Sequence, residues 1–201
     1  MNTSETGRVN TRNAMLILII VSTALLRILN VGKFGDWANF TPIGATALFA
    51  GTYFRNRWAA YFTPLLTLFI SDIIVNYGYY GKITLFYEGI VYVYIAFALM
   101  VFVGSLIKKV TTLRVFGATI ASVLIHWIVT NFGVWISGQI YPLNAQGFTD
   151  CYIKAIPFEK NLLLGNLAYG IILYGGFEWA KKHFPLLAVP HELSISKPNY
   201  K

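Results

Sequence analysis

Six apolar segments, separated by short clusters of basic residues, constrain this chain more than any other feature of its sequence. A helix needs about 20 apolar residues to cross a hydrocarbon core of ~30 Å, and most of these segments approach that length. We therefore predict an all-α integral membrane protein, a single transmembrane domain built as a bundle of six transmembrane helices. The predicted helices are residues 14–29, 42–54, 58–75, 83–107, 113–137 and 161–180, and a cytoplasmic tail follows over 181–201.

The composition supports a membrane protein over a soluble one. Hydrophobic residues make up 56% of the chain and charged residues only 12%, whereas about 25% of the residues of a soluble domain are charged. The net charge of +8 does not indicate nucleic-acid binding, because the basic residues are dispersed between apolar segments and no nucleic-acid-binding motif accompanies them.

The basic residues predict the orientation of the chain. Eleven lysines and arginines fall on the N-terminal side of the membrane and four fall on the other side, while Arg27 lies inside a helix. Since basic loops stay in the cytoplasm, both termini are predicted to be cytoplasmic. The eleven are Arg8, Arg12, Arg55, Arg57, Lys108, Lys109, Arg114, Lys181, Lys182, Lys197 and Lys201, and the four are Lys33, Lys82, Lys154 and Lys160.

The second segment, NFTPIGATALFAG over residues 39–51, is short and rich in small residues. We predict a helix that begins near Pro42 with Thr41 as its cap. Non-helical backbone before it would lie at membrane depth, where it must be surrounded by protein or a watery cavity. Its stripe of small residues allows close helix packing, either inside the bundle or as a docking surface for a partner protein. The stripe consists of Gly44, Ala47 and Gly51.

Polar residues within the predicted spans indicate a binding site, since a charge at membrane depth costs at least ~2.5 kcal/mol. Most of them fall at one level near the outer side, which is typical of the lining of a cavity. The alternative is a structural network of ion pairs. Helical spacing also separates His126 from Asn131, so one face cannot present both to the same ligand. The predicted substrate-binding residues are Arg27, Asn39, Asp72, Glu88, His126, Asn131 and Asn166.

A long outer loop is predicted between the fifth and sixth helices, from Ser137 to Asn161. Loops of this length are often functional, and its aromatic residues could cover a ligand as a lid. An interfacial belt of aromatic residues is the alternative. The predicted lid residues are Tyr141, Phe148, Tyr152 and Phe158.

Catalytic and metal-binding motifs are missing from the sequence. Cys151 is the only cysteine, and no cysteine and histidine pair has the spacing of metal ligands. The chain also has no P-loop, nucleophile elbow or H-E-x-x-H motif. We therefore predict neither an enzyme nor a cofactor, and no ATP hydrolysis by this chain.

Several stretches resemble a family of uncharacterised bacterial membrane proteins labelled as transport proteins. They are NFTPIGATALFAG, TPLLTLFISD, NFGVW, YPLNAQGFTDCYIKAIPF and GNLAYG. A looser likeness, in size, number of spans and small-residue packing, is to the S components of energy-coupling factor vitamin transporters. That likeness implies a bacterial inner membrane location, a small solute bound at the outer side, and docking of a transmembrane coupling subunit that works with ATPases.

The sequence thus favours the substrate-binding component of an importer of a vitamin or another small solute, with the lipid bilayer as its surroundings. Two other functions remain open. The first is a membrane scaffold or assembly factor that uses the small-residue helix as its interface. The second is a membrane-embedded enzyme with His126 and Asp72 as acid and base.

Overall fold

The computed structural model describes residues 3–29 and 39–188. These residues form helices and no strand, which confirms the all-α fold for the described part of the chain. The last two α-helices and the π-helical turn between them run on without a break, so the described helices form six continuous rods. The elements are α1 (Thr3–Leu29), α2 (Ile43–Tyr53), α3 (Arg57–Tyr80), α4 (Ile90–Ser105), α5 (Thr112–Ile136), α6 (Ala145–Gly170), the π-helical turn Ile171–Gly175, α7 (Gly176–His183) and a short 3-10 turn over Pro185–Leu187.

Three of the described helices are long and apolar enough to cross a membrane. These stretches are Val9–Ile28, Arg57–Gly78 and Thr112–Ile136, and α4 is apolar but shorter. Large apolar side chains such as Leu18 and Phe62 point outward from the bundle and are mostly exposed. Such a surface suits lipid better than water, so length and surface chemistry together suggest a membrane protein.

α2 lies in the centre of the bundle and is too short to cross a membrane alone. It has 11 residues, which gives ~17 Å at about 1.5 Å per residue. All of its residues except Thr52 are buried, and it packs against α1, α3, α4, α5 and α6. The prediction of a short second helix is confirmed, whereas six complete spans are not seen.

Close contact between α2 and α4 depends on two glycines. A Cβ atom added to Gly51 would overlap the carbonyl oxygen of Val101, and one added to Gly104 would overlap the carbonyl oxygen of Leu48. The two backbones therefore touch without side chains between them, as at small-residue interfaces in membranes.

The docking interpretation of the small-residue stripe is corrected by this packing. Gly44, Ala47 and Gly51 are all buried inside the bundle, so α2 offers no surface to a partner protein. The physical reason is that the same close approach that would admit a partner helix is already used by α4 and α6.

The N-terminus of α2 is capped by another helix instead of by Thr41. Pro42 occupies the N-cap position and provides no side-chain hydrogen bond. The Asn166 side chain of α6 accepts a hydrogen bond from the backbone N–H of Ala45 at 2.9 Å. Asn166 is only 2% exposed, so this cap is fully internal. One of the free N–H groups at the helix start is thereby satisfied in the core.

The predicted long loop before the last helix is corrected as well. α6 begins at Ala145, and Asn144 caps it by accepting a hydrogen bond from Gly147 N–H at 2.8 Å. Only residues 137–144 connect α5 to α6. The helix continues through Pro157 because it buries one residue on nearly every turn: Gly147, Cys151, Ala155, Glu159, Leu162 and Asn166.

Two other boundaries differ from the prediction. α4 begins at Ile90 instead of residue 83, because Gly89 adopts a left-handed conformation with φ of 79° that interrupts the helix. α7 covers the first residues of the predicted tail, to His183, and residues 189–201 of that tail lie outside the described residues.

We expect Gly51→Ala to destabilise the protein, because the new methyl group forces α2 and α4 apart. Overpacking of a tight core costs about 1–3 kcal/mol. The matched control is Gly117→Ala in α5, where an added Cβ meets no atom within 4 Å and alanine favours the helix. The melting temperatures of both variants are measured by thermal unfolding in detergent. Equal melting temperatures for the two would contradict the close α2–α4 contact.

Candidate functional site

An internal cavity of about 270 Å³ lies at one end of the bundle. It is formed where α1 ends, α2 begins and the second half of α5 passes by, and these segments meet because successive helices run in opposite directions. Its apolar wall includes Leu68, Phe97 and Leu162. Its polar wall is composed of Arg27, Asn39, Thr41, Tyr87, His126 and Thr130. We call this hollow the outer cavity, after the orientation that the basic residues predict.

Arg27 enters the cavity wall as half of an ion pair. Its guanidinium lies 2.6 Å from the Asp72 carboxylate and donates a hydrogen bond to Ser71 Oγ at 2.7 Å. Asp72 is 4% exposed and does not itself line the cavity. An arginine has five N–H groups, so this pairing leaves donors that a solute could use.

Tyr87 joins this pair from the connection between α3 and α4. Its hydroxyl donates a hydrogen bond to Asp72 at 3.3 Å. Burial raises the pKa of Tyr87, and the nearby Asp72 carboxylate raises that pKa further. The phenol therefore remains protonated and acts as a donor at neutral pH. Asp72 thus holds both Arg27 and Tyr87 in place at the cavity wall.

His126 is held in the same manner by Glu159 of α6. The His126 Nδ1 atom lies 3.0 Å from Glu159 Oε1 and 3.1 Å from Oε2. Glu159 is 8% exposed and lies behind the ring, outside the cavity lining. Because an ionised carboxylate only accepts, Nδ1 is the donor, and Nε2 of a neutral ring remains as an acceptor.

The charges of the site are therefore arranged in two layers. Arg27 and His126 lie on the cavity wall, whereas the two carboxylates that hold them, Asp72 and Glu159, lie behind them. A solute in the cavity would meet the remaining N–H groups of Arg27 and the Nε2 acceptor of His126 before it met a carboxylate. Such a wall suits a small polar solute. No group of three or more metal-ligating side chains occurs in the part of the chain that the structure describes.

The structure brings together part of the predicted binding set. Arg27, Asn39 and His126 line the outer cavity, and Asp72 supports Arg27 from behind. The non-helical backbone at Asn39 and Thr41 also lines it, as expected for irregular backbone at membrane depth. Their role in binding a solute remains a prediction.

Three predicted residues lie elsewhere. Glu88 is exposed in the connection before α4, because that helix begins two residues later. Asn131 lies away from the cavity and donates a hydrogen bond from Nδ2 to the Trp127 carbonyl at 2.8 Å. Asn166 is used to cap α2. Predicted depth along a helix therefore did not determine which residues reach the cavity.

The predicted lid is corrected to a packing contact between helices. Phe148 and Tyr152 lie on α6, where their rings are 4.5 Å apart and Phe148 packs edge-on against Trp135 of α5. Tyr141 lies against Lys154, and Phe158 is about half exposed. None of these four residues lines the outer cavity.

Sequence reasoning missed Glu159 because it placed this residue in a loop. The buried positions of α6 recur every three or four residues, and this spacing was the signal that would have assigned Glu159 to a helix face. His126 and Asp72, the acid and base of the alternative enzymatic function, are each bound to a different partner.

A second hollow lies at the opposite end of the bundle. The first half of α5 and the segment from Asn166 to Glu178 diverge there and enclose a groove of about 520 Å³. Its lining is mainly apolar, with Thr119, Asn166 and Tyr174 among the polar members. We call this hollow the inner groove.

We expect Asp72→Asn to destabilise the protein strongly, because it leaves Arg27 buried without a counter-ion. Breaking a buried pair on one side costs about 3–5 kcal/mol. The double variant Arg27→Gln/Asp72→Asn should lose less stability than the sum of the single variants, because neither charge remains unpaired. A double-mutant cycle of thermal unfolding in detergent measures this coupling. Additive losses would show that the pair contributes no coupling.

The chain belongs to a family of unknown function, DUF6580, which matches residues 7–187. No curated protein and no solved structure matches the chain.

Proposed function

We propose that this member of DUF6580 is the substrate-binding component of an importer in the bacterial inner membrane, and that it binds a small polar solute in the outer cavity. The observation that carries the proposal is a cavity with hydrogen-bonding walls inside a bundle whose exterior is apolar. Polar side chains inside such a bundle cost free energy, and a polar cavity there is typical of a ligand site in a membrane protein.

The size and chemistry of the cavity narrow the class of solute. Its volume is about 270 Å³, slightly below the ~300–1,000 Å³ of drug-sized ligand pockets. A vitamin-sized or smaller molecule fits this volume. Leu68, Val93 and Phe97 would contact an apolar ring or chain, while Arg27 and Tyr87 would meet its acceptor atoms.

An energy-supplying partner, like the coupling subunit that S components dock, would contact the periphery of this protein. α2 is internal, so a coupling subunit would dock on exposed helix surfaces instead. The basic residues at the inner end, which include Arg55, Arg57 and Lys109, support a cytoplasmic location of that end by the positive-inside rule.

Ligand screening by thermal shift tests the binding proposal. The purified protein in detergent is heated with vitamins, cobalamin precursors, metal ions, nucleobases and amino acids. A solute at 100 times its dissociation constant should add ~2.7 kcal/mol of stability, which raises the melting temperature. Thr130→Val should weaken this stabilisation because Thr130 lines the cavity.

Glu88→Gln is the matched control, since Glu88 is exposed and outside the cavity. It should leave the ligand shift unchanged. The site lies elsewhere if Glu88→Gln abolishes the ligand-induced rise in melting temperature and Thr130→Val does not. A well-folded protein that responds to no compound, and that co-purifies with a stoichiometric partner, would favour the scaffold function.

The proposed orientation is tested with reporter fusions. We expect a fluorescent protein that matures only in the cytoplasm to fluoresce when fused after Lys201, because the basic end of the bundle faces inward. The same reporter inserted in the connection between α3 and α4, residues 81–89, should remain dark. Fluorescence from the inserted reporter and none from the C-terminal fusion, measured in whole cells, would show that the chain has the opposite orientation.

A further inference from the structure

We propose that the outer cavity and the inner groove are two halves of one passage through this chain, closed by a septum that contains Ser122. The inference rests on the proposed handling of a solute and extends it. The solute would then cross the membrane through this chain. A partner protein would supply the energy for transport but would not form the route of the solute.

One face of α5 connects the two hollows. His126 and Thr130 line the outer cavity, and Thr119 lines the inner groove. Ser122 lies between them at helical spacing, so all four side chains fall on one face of the helix. The stretch from residue 119 to residue 126 is ~10 Å long at about 1.5 Å per residue. The barrier between the hollows is therefore only about two turns of helix thick.

Ser122 is an unusual residue for a purely structural septum. It is fully buried, at 0% exposure, and its hydroxyl has no hydrogen-bond partner among the described residues. A serine in a helix can usually satisfy its hydroxyl on the preceding turn, as Thr119 does with the Val115 carbonyl at 2.9 Å. An unsatisfied buried hydroxyl costs about 1–3 kcal/mol, and a solute or water passing through the septum would provide its partner.

α6 shows the same succession on the other side of the septum. Leu162 lines the outer cavity and Asn166, one turn further, lines the inner groove. Beyond Asn166 the wall of the inner groove has open space beside it, because a Cβ added to Gly170 or Gly175 would meet no atom within 4 Å. A small separation of α5 from α6 at this level would join the two hollows.

Cysteine accessibility tests the passage. Cys151→Ala removes the one native thiol, and single cysteines are then introduced at positions 119, 122 and 130. Sealed vesicles of either orientation are treated with 2-(trimethylammonium)ethyl methanethiosulfonate, which does not cross lipid. We expect Thr130→Cys to react only from the outer side, Thr119→Cys only from the inner side, and Ser122→Cys from both sides.

Ala96→Cys is the control, because Ala96 is also fully buried but lines neither hollow. Ser122→Cys should react at least about tenfold faster than Ala96→Cys, which reacts only through local unfolding. The proposal of a passage is rejected if Ser122→Cys reacts as slowly as Ala96→Cys, or if it reacts from one side only. All variants must elute as a single peak in size-exclusion chromatography, and the replacement of serine by cysteine is close to isosteric.

The outcome separates this inference from the proposed function. A ligand shift that depends on Thr130, together with an unreactive Ser122→Cys, would retain the binding function and reject the passage. Reactivity of Ser122→Cys from both sides without any ligand shift would retain the passage and reject the proposed solutes.

Discussion

The burial of α2 is the constraint on which the rest of the bundle depends. A helix of 11 residues with hardly any exposed surface must hide its backbone ends as well as its side chains. α6 meets this demand by extending Asn166 to the start of α2, and α4 meets it by bringing Gly104 against the helix backbone. The positions of α4 and α6 are therefore fixed through α2, and the outer cavity forms in the space left at its N-terminus.

The Arg27–Asp72 ion pair and the His126–Glu159 hydrogen bond each hold one residue of the cavity wall, which is the arrangement that the proposed binding function requires. Charges removed from water lose solvation that their mutual attraction often fails to restore, so an apolar replacement would frequently be as stable. Each pair instead fixes one wall residue in one orientation. Asp72 orients Arg27, and Glu159 orients the His126 ring. Preorganised donors of this kind lower the entropic cost of holding a solute.

The sequence predicted that polar residues would gather in a cavity better than it predicted which residues form the cavity wall. Hydropathy gave the all-helical architecture, and the cost of polar groups in lipid selected Arg27 and His126, which line the outer cavity. It could not supply the partners of each helix across the bundle, and it put Asn166 at the start of the last helix, whereas Asn166 lies near the end of α6 on the inner groove. Pro157 and the polar residues around it were interpreted as a loop, and for this reason Glu159 was not considered.

The π-helical turn at Ile171–Gly175 gives the last rod two mechanically distinct halves. A wider turn of this kind breaks the regular ladder of backbone hydrogen bonds. Gly175 ends the turn and Gly176 begins α7, and neither has a side chain that could pack at this junction. The part that precedes the turn is anchored to α2 through Asn166, whereas α7 packs against the aromatic side chains of Phe49 and Tyr53. The two halves of the rod are thus held to α2 by different contacts, the first by a hydrogen bond near the start of α2 and the second by aromatic packing nearer its end.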